Sequence, residues 1–147
     1  HNIRQLLIRA DNVGHSYTVD VGIVCTVWQG LVRLVDVMPN MAEAARGIAW
    51  VRRVAAQVGA AIDTVWRSVA IGQHTNVCIG RPCADLSLVP SLFGSNGCFK
   101  SSKVYRQSIK QGVDFVDFDE VVIEIEAQYA RFKELVGTGP DYFEVHA

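Results

Sequence analysis

Residues 5–14 read QLLIRADNVG, and the reading of this stretch decides the fold. Leu6, Leu7 and Ile8 predict a short buried strand over residues 5–10. The run stops on two adjacent polar side chains, Asp11 and Asn12, with Gly14 just beyond. In α/β proteins the strand fixes the backbone and a reactive group stands at its carboxyl end, where sites in such folds collect. A strand followed by a solvated Asp-Asn turn gives the same local pattern. The ends of two later strands favour the functional reading.

Outward from this stretch, residues 11–17 are expected to form a loop and residues 18–29 a helix. Val19, Ile23, Val27 and Trp28 recur there at helical spacing, and Gly30 is a stop signal. Residues 31–38, LVRLVDVM, are rich in β-branched side chains and predict the second strand. Pro39-Asn40 opens a second helix over about residues 41–58. Asn40 is its expected N-cap, Glu43 the partner in a capping box, and Trp50, Val51, Val54 and Val58 its buried stripe. Residues 59–68 either prolong that helix or form an inserted loop. Residues 69–72 lead as a strand into Gln73-His74.

Residues 77–118 show little periodicity apart from a short helical piece near 103–110. A connection this long is usually functional or covers a site. Asp119 is the expected cap of an amphipathic helix over 120–136, with Val122, Ile125, Tyr129 and Phe132 on one face. Residues 137–140 end it, and residues 141–145 form a last short strand with His146 at its end. Alternating strands and helices argue a mostly parallel α/β sheet or part of a barrel, with residues 1–147 as one domain.

Composition narrows the function. The chain has 147 residues, 50% of them apolar, and a net charge of -1. That supports a sizeable core and gives no support for nucleic acid or an anionic membrane as partner. No apolar run approaches the ~20 residues that span a bilayer, and no signal peptide opens the chain; His1 reads as a tag remnant. Cys25, Cys78, Cys83 and Cys98 form no CxxC pair. Free thiols and a cytoplasmic location are the expectation.

The strand ends now carry Asp11-Asn12, His74, and Glu144-x-His146. A parallel sheet brings such ends to one edge. A carboxylate or amide with two imidazoles is a ligand set for a catalytic divalent metal, and a second carboxylate beside it can act as general base. A hydrogen-bonded structural histidine is the alternative at each position. His15 is a candidate for supporting or substrate contact, against an ordinary surface histidine. Arg81 could clamp a substrate oxygen or be an exposed loop cation.

The chain resembles the YdjC/ChbG-type carbohydrate deacetylase family. The resemblance rests on Ile8 to Gly14, on Gly30-Leu31-Val32 leading to Met38-Pro39-Asn40-Met41, and on Gly72 to Asn76 with Gly80-Arg81-Pro82. It continues through Pro90-Ser91-Leu92, Gly97-x-Phe99, Glu124 to Phe132, and Pro140 to His146. It implies a distorted β/α barrel, here partial, with a long irregular segment. It also implies removal of N-acetyl groups from chitooligosaccharides and related amino sugars with a divalent metal (Mg, Zn or similar). Position by position, Asp11 matches the family's catalytic base, Asn12 its metal-binding Asp, and His74 and His146 its metal-binding histidines. Glu144 stands where many members have Asp and is expected in a supporting part.

Two departures follow. The family has Ala-Asp-Asp, and Asn12 brings an amide oxygen without the charge, so weakened or absent metal binding is expected. The chain also stops just after His146, where family members continue. A sheet edge left open is a pairing liability, so self-association through that edge is expected; a fragment of a longer protein is the competing explanation. An active deacetylase and an inactive relative with a sugar-binding or assembly role both remain open.

Overall fold

The computed structural model describes residues 6–61 and 69–146. His1, Gln5 and most of the ambiguous 59–68 stretch lie outside the described residues. The chain is α/β. Strands β1 (Arg9–Val13), β2 (Leu34–Val37), β3 (Ala70–Thr75) and β4 (Phe143–Val145) form one sheet in the order β1-β2-β3-β4. All three pairings are parallel. Helices α1 (Tyr17–Trp28), α2 (Ala44–Ala61), α3 (Ser102–Gln111) and α4 (Phe118–Val136) complete it. This is a partial barrel.

Strand residues alternate between two faces. Val35 and Val37 turn to one side, where Val13 joins them against Ile23 and Val27 of α1, Ile48 and Val51 of α2, and Phe132 and Val136 of α4. The register puts Arg9 beside Leu34, Asp36 beside Gly72, and His74 beside Glu144. One face is therefore the apolar core and the other is polar.

Several local expectations are corrected. The first strand begins at Arg9, and Leu6 and Leu7 are exposed. Asp11 and Asn12 lie within β1, not after it, because the pairing with β2 runs from Arg9 to Val13. Asn40 does not cap α2. Its side-chain amide donates to the Ile79 carbonyl at 2.7 Å and to that of Arg81 at 3.1 Å, tying the chain after β2 to the chain after β3. Trp28 is exposed, and Trp50 is half-buried, edge-on to Tyr17 at 5.5 Å, with Arg46 above it. Asp117, not Asp119, caps α4, accepting from the Asp119 N–H at 2.8 Å.

The buried stripe of α4 is Glu124, Gln128, Phe132 and Val136, whereas Val122, Ile125 and Tyr129 are partly exposed. An apolar count misses this because α4 spends polar side chains on the irregular segment. Glu124 accepts from the Cys83 and Ala84 N–H groups, each at 2.9 Å. Gln128 accepts from the Asn76 N–H at 3.0 Å, and its amide donates to the Asn76 carbonyl at 2.6 Å. Glu120 accepts from the Ser91 N–H at 2.6 Å. Buried backbone groups outside helix and sheet need such partners. A small second core of Val89, Leu92 and Phe99 lies beneath the same segment.

The four cysteines are free. Burial pushes the Cys78 thiol up; burial and then Glu124 push Cys83 up to about 12, so neither is a ready thiolate. Among the described residues no helix is long and apolar enough to cross a membrane.

Candidate active site on the polar face of the sheet

The site begins with a bulge. The β1–β2 register shifts between Ala10 and Val13, and Asn12 takes φ +75°, the left-handed region. Asparagine tolerates this conformation better than most side chains, and a bulge re-aims the side chains around it. The turn that follows is held tightly. The Gly14 N–H donates to buried Asp20 at 2.8 Å. A Cβ at Gly14, where φ is +90°, would stand 2.5 Å from the Ala44 Cα.

β3 and β4 bring two imidazoles together. His74 Nε2 and His146 Nδ1 stand 3.0 Å apart, with the rings edge to face at 77°. The His146 N–H donates to the Thr75 carbonyl at 2.8 Å, which extends the strand ladder by one step and fixes the ring's base. Burial, and next the neighbouring His74, pull the His146 imidazole below its ordinary value, with His15 acting the same way and Asp11 and Asp36 opposing. A neutral imidazole is the form that binds metal.

Asp36 was not among the residues expected at the site. It is fully buried on β2 and stands 3.3 Å from His74 Nδ1. It also accepts from the Asn12 N–H at 3.2 Å. It touches both the histidine and the bulge, as the outer partner of a ligand does. Its signal in the sequence is an acid inside the β-branched run LVDV.

Arg9 was quoted in the resemblance without a role. Its Nε donates to Asp11 Oδ1 at 2.6 Å and lies 3.4 Å from Asp36 Oδ2, and its Nη1 donates to Glu144. Tyr142 packs across Gly72: a Cβ there would meet the Tyr142 ring at 2.4 Å. Burial, then Asp36, raise the Tyr142 phenol.

The structure brings His74 against His146 and ties Asp11, Asp36 and Glu144 together through Arg9, with His15 within electrostatic reach of His146; Asn12 joins this group through its backbone N–H, which donates to Asp36. Arg81 is exposed in the loop after β3, with its guanidinium against Gly97 and its carbonyl taken by Asn40.

A divalent ion can be tested against these residues. Two imidazole nitrogens bound at about 2.0–2.1 Å to one ion stand about 2.9–3.4 Å apart at octahedral to tetrahedral angles; the observed 3.0 Å falls in that range and is also the length of a hydrogen bond between the two rings. Asn12 Oδ1 is buried with no hydrogen-bond partner, as are His74 Nδ1 and Asp36 Oδ2. An orphaned amide oxygen on a bulge suits a hard cation. Among the described residues no group of three His, Cys, Asp or Glu side chains is arranged to hold a metal. A third donor would have to be an amide, and the buried, unpartnered Asn12 Oδ1 is the candidate.

Comparisons with known proteins agree with this fold. The chain is 29% identical to a human carbohydrate deacetylase over 143 residues, covering 97% of this chain and 40% of the relative. It is 30% identical to a chitooligosaccharide deacetylase of Proteus mirabilis over 141 residues, covering 96% of this chain and 48% of the relative. The chain thus spans less than half the length of these relatives. A crystal structure from Enterococcus faecalis V583, of a protein provisionally assigned to cellobiose-phosphate cleavage, superposes with a TM-score of 0.74 at 24% identity. That match covers 95% of this chain and 47% of the other and concerns the fold. The pattern that defines the YdjC-like protein family matches residues 5–147, and the chain belongs to that family.

Proposed function

We propose that this chain carries the metal-dependent hydrolytic site of a carbohydrate deacetylase, which removes N-acetyl groups from amino-sugar oligosaccharides. The observation that supports it best is the contact of His74 with His146 beside buried Asp36, which Arg9 links to Asp11. The names of the human and Proteus relatives point to the same substrate class.

In this reading His74, His146 and Asn12 would hold the ion, with Asp36 beside His74 and bonded to the Asn12 backbone. A divalent ion, when bound, polarises the acetamide carbonyl and makes water a better nucleophile. Asp11, its side chain 40% exposed and hydrogen-bonded by Arg9, would take the proton from the attacking water and return it to the departing amine.

A second reading is an inactive relative that keeps the sugar-binding surface, and Asn12 favours it. Acetate release from diacetylchitobiose in zinc, magnesium or cobalt tests both. Release by the wild-type chain supports the first. Release only by Asn12→Asp assigns the loss to the missing charge. Silence of both variants removes the deacetylase reading for this chain.

A further inference from the structure

Two helix faces of this chain are apolar where they meet solvent. On α1, Tyr17, Val21, Cys25 and Trp28 are all exposed, and their spacing puts them on one side of the helix. Asp20 is the one charged residue of α1, and it is buried. A helix that is apolar all round is normally covered on every side, yet here only the Ile23 and Val27 side is packed into the core. On α4, Phe118, Val122, Ile125 and Tyr129 form a second exposed stripe beside the buried one. The Tyr129 ring lies 6.1 Å from that of Phe143, so this stripe continues onto the exposed Phe143 and Val145 of β4. Contiguous exposed apolar surface of this kind marks a contact site.

The two stripes flank the two free edges of the sheet. α1 follows β1, and α4 leads into β4. All pairings within the sheet are parallel. β1 of a second copy can therefore extend the sheet beyond β4 with every strand still parallel. A twofold axis repeats that contact at the other edge and closes a ring of eight strands, which leaves no edge free. Pairing β4 with β4 would instead be antiparallel and would leave β1 and α1 bare.

The area is sufficient. At roughly 150–250 Å² per fully buried aromatic side chain, the exposed fractions of Tyr17 (61%), Trp28 (59%), Phe118 (76%), Tyr129 (36%) and Phe143 (60%) amount to about 600 Å² per copy. Val21, Val122, Ile125 and Val145 carry this to the ~800 Å² per partner of a stable interface. Two copies of the chain also approach the length of one of its relatives, of which it covers 40% in the human protein and 48% in that of Proteus mirabilis.

We propose that a second copy of this chain covers both stripes. β1 of each copy pairs with β4 of the other, and α1 of each lies against α4 and β4 of the other, so that two half-barrels close one barrel. This assembly requires neither the metal nor the deacetylase chemistry.

Sedimentation velocity of the 147-residue chain, combined with thiol cross-linking, tests it. Wild type should sediment as a dimer. Val21→Lys on α1 and Ile125→Lys on α4, each checked for folding by circular dichroism, should each weaken dimerisation by about tenfold or more, because a charge enters a desolvated contact. In Ile125→Cys, a short bismaleimide should join Cys25 of one copy to the thiol introduced at position 125 of the other, as read from the cross-linked peptides by mass spectrometry. Wild type treated in the same way controls for Cys78, Cys83 and Cys98. A monomeric wild type overturns the proposal and leaves the two stripes to a different chain or to further segments of a longer one. A dimer cross-linked through like positions, Cys25 to Cys25 or 125 to 125, overturns it as well, since like faces then meet. A dimer that folded Val21→Lys leaves intact also overturns it, because α1 then takes no part.

Discussion

His74 Nε2 and His146 Nδ1 stand 3.0 Å apart although 72 residues separate them in the chain. The register of β3 on β4 produces this contact. His74 pairs with Glu144, so the residue just beyond β4 arrives beside the imidazole. His146→Ala should therefore weaken zinc binding by about two orders of magnitude, since it removes a ligand and not only an outer partner. Asp36→Asn should weaken it by about 10- to 100-fold, because Asp36 stands 3.3 Å from His74 Nδ1 and holds the Asn12 N–H. Isothermal titration of each variant checks both. Equal affinity of Asp36→Asn and wild type would take Asp36 out of the site.

Gly72 makes room for Tyr142. A Cβ there would stand 2.4 Å from the ring. Gly72→Ala should cost about 1–3 kcal/mol, the range for overpacking a closed contact. The same substitution in a Tyr142→Ala background should cost clearly less, because the clashing ring is gone. Urea denaturation of the four proteins in this cycle measures the coupling.

Glu124 is fully buried and its carboxyl is raised by burial, against the Cys83 and Ala84 N–H groups that favour the charged form. A raised folded-state value means that the folded protein binds the proton more readily than the unfolded chain. The stability it contributes is then fully present below the ordinary glutamate value and is lost as pH rises through the raised one. Glu124→Gln cannot titrate. The stability difference between wild type and Glu124→Gln should therefore grow on acidification from pH 7 toward the ordinary glutamate range. Thermal denaturation across that range checks it, and a difference that shrinks on acidification contradicts it.

β4 is an edge strand, and Phe143 and Val145 are 60% and 68% exposed. Unpaired backbone groups beside exposed apolar side chains favour pairing with another chain. In solution the 147-residue chain should self-associate, and Val145→Lys should shift it toward monomer. Sedimentation velocity reports the outcome, and a monomeric wild type at tens of micromolar would count against it.

Much of this was legible in the sequence for definite reasons. Each predicted element exists because helix periodicity and β-branched runs are local signals. The misplacements share one cause. Leu6 and Leu7 are apolar but exposed, outside the paired strand. Glu124 and Gln128 are polar but buried, because they satisfy backbone groups more than 40 residues away in sequence. Asn40 looks like a cap and instead ties two loops, for a similar reason.

The sequence by itself determined the order of strands and helices, the family, and the residue types available for chemistry. Those depend on local pattern and on motifs short enough to read along the chain. Tertiary structure decided the rest. The parallel register put His146 against His74, the bulge at Asn12 turned an amide into a candidate donor, and the polar face gathered Arg9, Asp11, Asp36 and Glu144 from three strands. Charges interact through space, so which acid is paired, and which is free to act, depends on distances that only the folded sheet sets.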